Sequence, residues 1–137
     1  DLEKIVKLMK KNSFDVVYGS RVLGKNKFEN AKNFTNLIRI WGNIFLTMVS
    51  NFLNRQKLTD AHTCYKIIRS DIFKNISLME NRFAFCPEIT TKLAKKNYKI
   101  IEMPINYNGR TYSEGKKINS IDGLVALYCL IKYRFFH

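Results

Sequence analysis

Apolar spacing, capping residues and proline positions predict five helices along the chain. These helices cover Leu2–Asn12, Asn33–Asn54, Ser70–Lys74, Pro87–Asn97 and a last segment that begins at Ser120. In the last helix we expect Leu124, Tyr128 and Ile131 to form the apolar stripe. Ser70 and Ser120 are each placed to cap the helix that follows.

Three runs rich in β-branched and aromatic residues predict strands at Asp15–Gly19, Thr59–Arg69 and Lys99–Tyr107. Pro104 interrupts the third run, which indicates an edge strand or a bend. Helices that alternate closely with strands are typical of an α/β fold, so we expect one domain with an open mixed sheet flanked by helices. The polar, glycine-containing segments 23–32 and 108–117 are expected to be loops.

The chain of 137 residues carries a formal net charge of +13. Such an excess favours a polyanionic partner, which is a nucleic acid, an anionic lipid or a phosphate-rich substrate. A solvated basic surface is the alternative. The three cysteines are widely spaced and include no CxxC pair, which argues against a zinc site or a disulfide framework and favours a reducing compartment.

The longest apolar stretch, Leu37–Leu53, includes Arg39 and Asn43, so it does not have the composition of a membrane-spanning helix. These two polar residues lie one helical turn apart and share a face. Polar groups on an apolar helix need partners, and a phosphate between protein and lipid would provide one. The alternative is that the methylene groups of Arg39 pack on the apolar surface while its guanidinium reaches solvent.

Two further polar motifs adjoin the predicted strands. Ser20-Arg21 follows the first strand, at the edge where open α/β sheets bind ligands, and the arginine fork suits phosphate. Asp60 precedes the second strand, where it could orient or deprotonate an acceptor, although a turn or capping aspartate is more common there. We assign no role to His62.

The polar segment 108–117 combines two glycines with Arg110, Lys116 and Lys117. This composition suits a mobile flap that closes on phosphate groups, and a plain solvated loop is the alternative.

Taken in order, these motifs resemble the family-two glycosyltransferases of the dolichol-phosphate mannosyltransferase type. The resemblance covers essentially the whole chain. It rests on Gly19-Ser20-Arg21, Asn43, Thr59–Lys66, Asn81–Glu88, Met103-Pro104-Ile105, Tyr107–Ile118 and Asp122-Gly123.

The resemblance implies that residues 1–137 are the C-terminal, acceptor-side part of a glycosyltransferase A-type catalytic domain. In this family the N-terminal half binds the nucleotide and holds magnesium or manganese through an acidic motif. We expect that half to be absent here, so that no metal ligand lies in the chain and the fragment alone is inactive. An Asp-x-Asp motif is expected shortly before Asp1 in the parent protein.

Carried over by position, Arg21 with Ser20 resembles a phosphate-binding pair beside donor and acceptor. Arg39 and Asn43 resemble contacts to the acceptor phosphate, and Asp60 resembles the acidic catalytic residue after the acceptor site. The flap that closes on the nucleotide phosphates corresponds to Arg110, Lys116 and Lys117.

The implied reaction transfers a hexose to dolichyl or polyprenyl phosphate. Mannose from GDP-mannose is the first candidate. A synthase of polyprenyl-phosphate glucose, or of another sugar carrier, is the alternative within the family. We expect a peripheral protein at the cytosolic face of a membrane, with no nucleic-acid partner. The alternative of another class is a basic nucleic-acid-binding module, which would need stacking aromatics interleaved with cations on one face.

Overall fold

The computed structural model describes residues 1–24, 34–106 and 119–137. In chain order the described elements are α1 (Leu2–Asn12), β1 (Val16–Ser20), α2 (Phe34–Asn54), β2 (Lys66–Ile68), α3 (Ser70–Lys74), a 3₁₀ turn (Arg82–Ala84), α4 (Phe85–Lys95), β3 (Ile100–Pro104) and α5 (Ser120–Phe135). The predicted α/β class is confirmed. All five predicted helices are present, with bounds shifted by a few residues.

The described strands form one mixed sheet in the order β2-β1-β3. The central strand β1 is buried along its whole length, runs antiparallel to β2 and runs parallel to β3. Its register with β3 pairs Val16 with Ile100 and Ser20 with Pro104. Pro104 therefore ends a strand at the edge of the described sheet, where the missing amide donor is tolerated.

Alternation along β1 divides the core into two layers. Val16 and Tyr18 face one side and pack with Ile89 and Leu93 of α4. Val17 faces the other side and packs against α1. The sheet is thus covered on both faces, as expected for a sheet that contains a parallel pair of strands.

The predicted second strand, Thr59–Arg69, is much shorter than expected, because only Lys66–Ile68 pairs with β1. The preceding residues form turns whose backbone groups bond to side chains, including the Thr59 and Asp60 amides on Glu102. A backbone amide held by a carboxylate does not join a strand ladder at the same time.

Two capping predictions were wrong by one residue. Asn119, and not Ser120, caps α5, since its side chain bonds to the backbone of Asp122 and the Asp122 carboxylate bonds back to the Asn119 amide at 2.8 Å. Ser70 is the first helical residue of α3, which follows Arg69 without a side-chain cap.

The apolar stripe predicted for α5 lies on the outside of the molecule. Leu124 and Tyr128 are exposed, whereas the residues that α5 buries include Cys129, Leu130 and Tyr133. The pattern located the helix correctly, but this stripe does not face the core of the described residues.

Gly19 is a position where we expect a substitution to be costly. A methyl group added there would lie 2.7 Å from Cγ2 of Ile105 and 2.9 Å from Cβ of Tyr65. We predict that Gly19→Ala lowers the free energy of unfolding by about 1–3 kcal/mol, because overpacked cores must shift. Urea denaturation of the variant and the wild type measures this difference in the free energy of unfolding.

Gly42→Ala is the matched control, since the same methyl group on α2 meets nothing within 4 Å. It should stabilise the protein by about 0.5–1 kcal/mol. Equal effects of the two substitutions would contradict the packing described around Gly19.

Candidate functional site

Asp60 lies at the centre of a polar cluster beyond the carboxyl end of β1, and its side chain is completely buried. Arg21 donates two parallel hydrogen bonds to the Asp60 carboxylate, from Nε to Oδ2 at 2.6 Å and from Nη2 to Oδ1 at 2.8 Å. The Arg21 backbone amide also donates to Oδ2, at 3.2 Å. Nδ2 of Asn43 donates to Oδ1 at 3.2 Å. Three separate predicted motifs therefore meet on one carboxylate.

The environment keeps Asp60 ionised. Burial is the largest influence and raises the pKa of Asp60, but the hydrogen bonds and charge of Arg21, together with the bond from Asn43, outweigh it and lower the pKa below its ordinary value of 3.8. A carboxylate held in this way is a poor proton acceptor near neutral pH. Its geometry suits it to fixing the direction of the Arg21 guanidinium.

Glu102 on β3 supports the segment that carries Asp60. Its carboxylate accepts the Thr59 amide at 2.7 Å, the Thr59 hydroxyl at 2.9 Å and the Asp60 amide at 2.9 Å. Glu102 was not among the site residues predicted from the sequence. The one signal for it was an acidic residue inside the apolar run Ile100–Met103, where a charge needs partners.

Ser20 holds the turn that presents Arg21. Its hydroxyl is hydrogen-bonded to the Thr59 hydroxyl at 2.6 Å, and it accepts the amides of Val22 and Leu23 at 3.2 Å each. The side chain is buried. A contact between Ser20 and a phosphate stays a prediction, and within the described residues its hydroxyl organises the turn.

The inner face of α2 is polar, because it supplies hydrogen bonds to the segment around Asp60. Thr47 Oγ1 accepts the Ala61 amide at 3.3 Å. Asn51 pairs with the backbone of Leu58, through Nδ2 to the carbonyl at 2.7 Å and from the amide to Oδ1 at 2.9 Å. Asn43 completes this row at Asp60.

Arg39 lies on α2 one turn before Asn43 and is half-buried. The three loop cations Arg110, Lys116 and Lys117 lie outside the described residues. Their predicted roles, like that of Arg39, remain predictions.

Lys66 and His62 complete the polar cluster behind Asp60. Lys66 donates from Nζ to the carbonyls of Ala61 and Thr63 and lies 4.3 Å from the centre of the Tyr18 ring. Burial lowers its pKa. His62 has no hydrogen-bond partner for Nε2 within the part of the chain described. Burial first, and then the Lys66 charge, lower the pKa of His62 to about 4.

The two acids of this cluster are not available as metal ligands. Asp60 and Glu102 both have their oxygens occupied by N–H or O–H donors. Residues 1–24, 34–106 and 119–137 contain no group of three histidine, cysteine or acidic side chains that could hold a metal ion. The described residues therefore do not fit a magnesium or manganese ion.

None of the helices described is long and apolar enough to cross a bilayer.

Comparisons with known proteins give one distant relative. No family model matches the chain, and no solved structure matches it. The uncharacterized protein MJ1222 of Methanocaldococcus jannaschii is 27% identical over 138 residues, which is 99% of this chain and 55% of that protein. The chain thus spans about half the length of the curated relative it matches. Since the relative's name states no activity, an assignment of function has to begin from the site.

The lowered pKa of the half-buried His62 predicts a pH dependence of the free energy of unfolding. The unfolded chain binds a proton at His62 below its ordinary pKa of 6.5, whereas the folded chain resists protonation until about pH 4. The free energy of unfolding should therefore fall by up to about 2–3 kcal/mol as the pH decreases through this window. Urea denaturation at several pH values measures this fall.

His62→Gln should reduce the change in the free energy of unfolding between pH 6.5 and pH 4. The Asp60–Arg21 pair does not contribute to it, because the lowered pKa of Asp60 keeps its stabilisation present above 3.8 and loses it only at lower pH. A slope that persists unchanged in His62→Gln would show that His62 is solvated in the folded protein.

Proposed function

We propose that the chain is the acceptor-side part of a glycosyltransferase that transfers a hexose from a nucleotide-sugar to dolichyl or polyprenyl phosphate. The observation that carries the proposal is the convergence of Arg21, Asn43 and Asp60 beyond the carboxyl end of β1. Each of these residues was selected from a separate motif. An oriented arginine at that edge of an α/β sheet is suited to phosphate.

In the proposed reaction an oxygen of the lipid phosphate attacks the anomeric carbon of the donor sugar. The bond from that carbon to the nucleotide diphosphate breaks, the diphosphate leaves with the electron pair, and the anomeric configuration inverts. The attacking oxygen is already anionic near neutral pH. The chain therefore needs to position two phosphate-bearing substrates and to offset their charge, and it needs no strong base.

The lowered pKa of Asp60 favours a positioning role for this residue over proton abstraction. Asp60 holds the Arg21 guanidinium by two bonds, and we propose that this fixes the guanidinium toward the phosphates. Arg39 is proposed as a further acceptor contact, one turn from Asn43. Arg110, Lys116 and Lys117 are proposed to close on the nucleotide phosphates.

The acceptor is a membrane lipid, so we propose that the protein acts as a peripheral protein at the cytosolic face of a membrane. GDP-mannose is the first donor to test. UDP-glucose is the second, because a polyprenyl-phosphate glucose synthase would use the same cluster.

The test is transfer of labelled hexose by the full-length protein to a short-chain polyprenyl phosphate in detergent. We predict that Asp60→Asn lowers turnover about 100-fold, the loss typical when an oriented charge-stabilising group is disturbed. Donor affinity should change much less. A charge-neutral side chain at this position no longer pairs with the arginine.

Asp71→Asn is the matched control, because Asp71 is an exposed acid on α3 whose pair with Arg69 lies at the surface. It should leave turnover unchanged, since exposed ion pairs contribute little. If Asp60→Asn abolished donor affinity while turnover at saturation held, Asp60 would be a donor-binding residue. If no donor gave a lipid-linked product, the proposed function would be wrong.

A further inference from the structure

The helix α2 has the reverse polarity of an ordinary surface helix, which buries its apolar face and exposes its polar face. Its inner face carries the polar residues that bond to the segment around Asp60, as described above. Its outer face is apolar and exposed. The exposed residues of that face are Phe34, Ile38, Trp41, Phe45, Met48 and Phe52.

Spacings of four and three residues alternate along this stripe, so its members share one side of the helix. Trp41 is 68% exposed and Phe52 is 84% exposed. Scattered apolar side chains at a surface are ordinary, but a continuous apolar stripe with four aromatic rings indicates a binding surface.

The neighbouring helix α5 extends the same surface. It exposes Ile121, Leu124, Tyr128, Ile131 and Phe135, again at alternating spacings of three and four residues. The two helices meet at a small groove lined by Gly42, Phe45, Gly123 and Leu124. We call the exposed residues of α2 and α5 together the apolar face.

A basic cavity lies at the end of the apolar face where both helices finish. Its volume is about 590 Å³, and its lining includes four cations, Arg55, Lys57, Lys99 and Arg134. No acidic residue is among the described residues that line it. The lining also includes Ile100, which pairs with the first residue of β1, whereas Arg21 follows the last residue of that strand. The cavity is therefore at the opposite end of the strands from the proposed catalytic cluster.

We propose that the apolar face and the basic cavity together dock the protein on an anionic lipid bilayer. The aromatic and aliphatic side chains would enter the boundary between head groups and acyl chains, and the four cations would bind lipid phosphates. Charge decides between this occupant and a second copy of the chain. Two copies would each bring a formal charge of +13, and the one acidic residue in the sequence of α2 and α5, Asp122, already accepts the Asn119 amide.

This inference rests on the exposed faces and not on the transferase reaction, so the two are tested separately. Vesicles of phosphatidylcholine, alone or mixed with phosphatidylglycerol, contain neither acceptor nor donor. Co-sedimentation of the intact protein measures binding. Quenching by brominated acyl chains, taken as the difference between wild type and Trp41→Phe, reports whether Trp41 reaches the bilayer.

We expect binding to vesicles that contain phosphatidylglycerol, with quenching of Trp41, and little binding to phosphatidylcholine alone. Phe45→Ser/Phe52→Ser should weaken binding at least about tenfold, because it removes two inserting rings. Arg55→Gln/Lys57→Gln should weaken it about thirtyfold, which corresponds to about 1 kcal/mol for each cation near an anionic surface.

Phe73→Ser is the control for the apolar face, since Phe73 is an exposed ring on α3. Lys10→Gln/Lys11→Gln on α1 is the control for charge. Circular dichroism confirms that each variant folds. The inference is overturned by absence of binding, by equal binding to both vesicle types, or by binding that leaves Trp41 unquenched. It is also overturned if the protein is a dimer that Phe45→Ser/Phe52→Ser dissociates.

Discussion

The buried charge of Asp60 is the constraint on which the rest of this structure depends. A carboxylate removed from water is stable only where donors replace the lost hydration, and here Arg21 and Asn43 provide them. These donors come from the end of β1 and the middle of α2. Meeting that one requirement therefore fixes the position of the long helix against the sheet. Glu102, a half-buried acid on β3, holds the backbone on which Asp60 sits.

The same requirement explains the unusual orientation of α2. Because the segment around Asp60 needs hydrogen bonds, the helix turns Asn43, Thr47 and Asn51 inward. Its aromatic residues are left on the outside, where α5 continues the apolar face. One helix thus organises the proposed phosphate cluster on one side and offers the proposed bilayer contact on the other. The position of the cluster relative to a membrane would then be set by the width of a single helix.

Features that depend on local sequence pattern could be predicted from the sequence. Features that depend on contacts between distant segments could not. Helix positions and the candidate site residues Arg21, Asn43 and Asp60 could be predicted from spacing and residue type, but the pairing of the three could not. The role of Glu102 could not, since it depends on the register that sets this residue beside Tyr18. The predicted strand does not begin at Thr59, because the amides of Thr59 and Asp60 donate to the side chain of Glu102. The stripe of α5 was found, but periodicity alone does not tell whether a stripe faces the core or a partner.

In the proposed reaction the cluster of Arg21, Asn43 and Asp60 receives the phosphate of the acceptor. Backbone amide spectra of the ¹⁵N-labelled intact protein, titrated with a short-chain polyprenyl phosphate and with the matching alcohol, test it most directly. We expect saturable shifts at Ser20–Leu23 and Thr59-Asp60 with the phosphate and none with the alcohol. Shifts confined to the basic cavity around Lys57 and Lys99, or equal shifts with the alcohol, would contradict it.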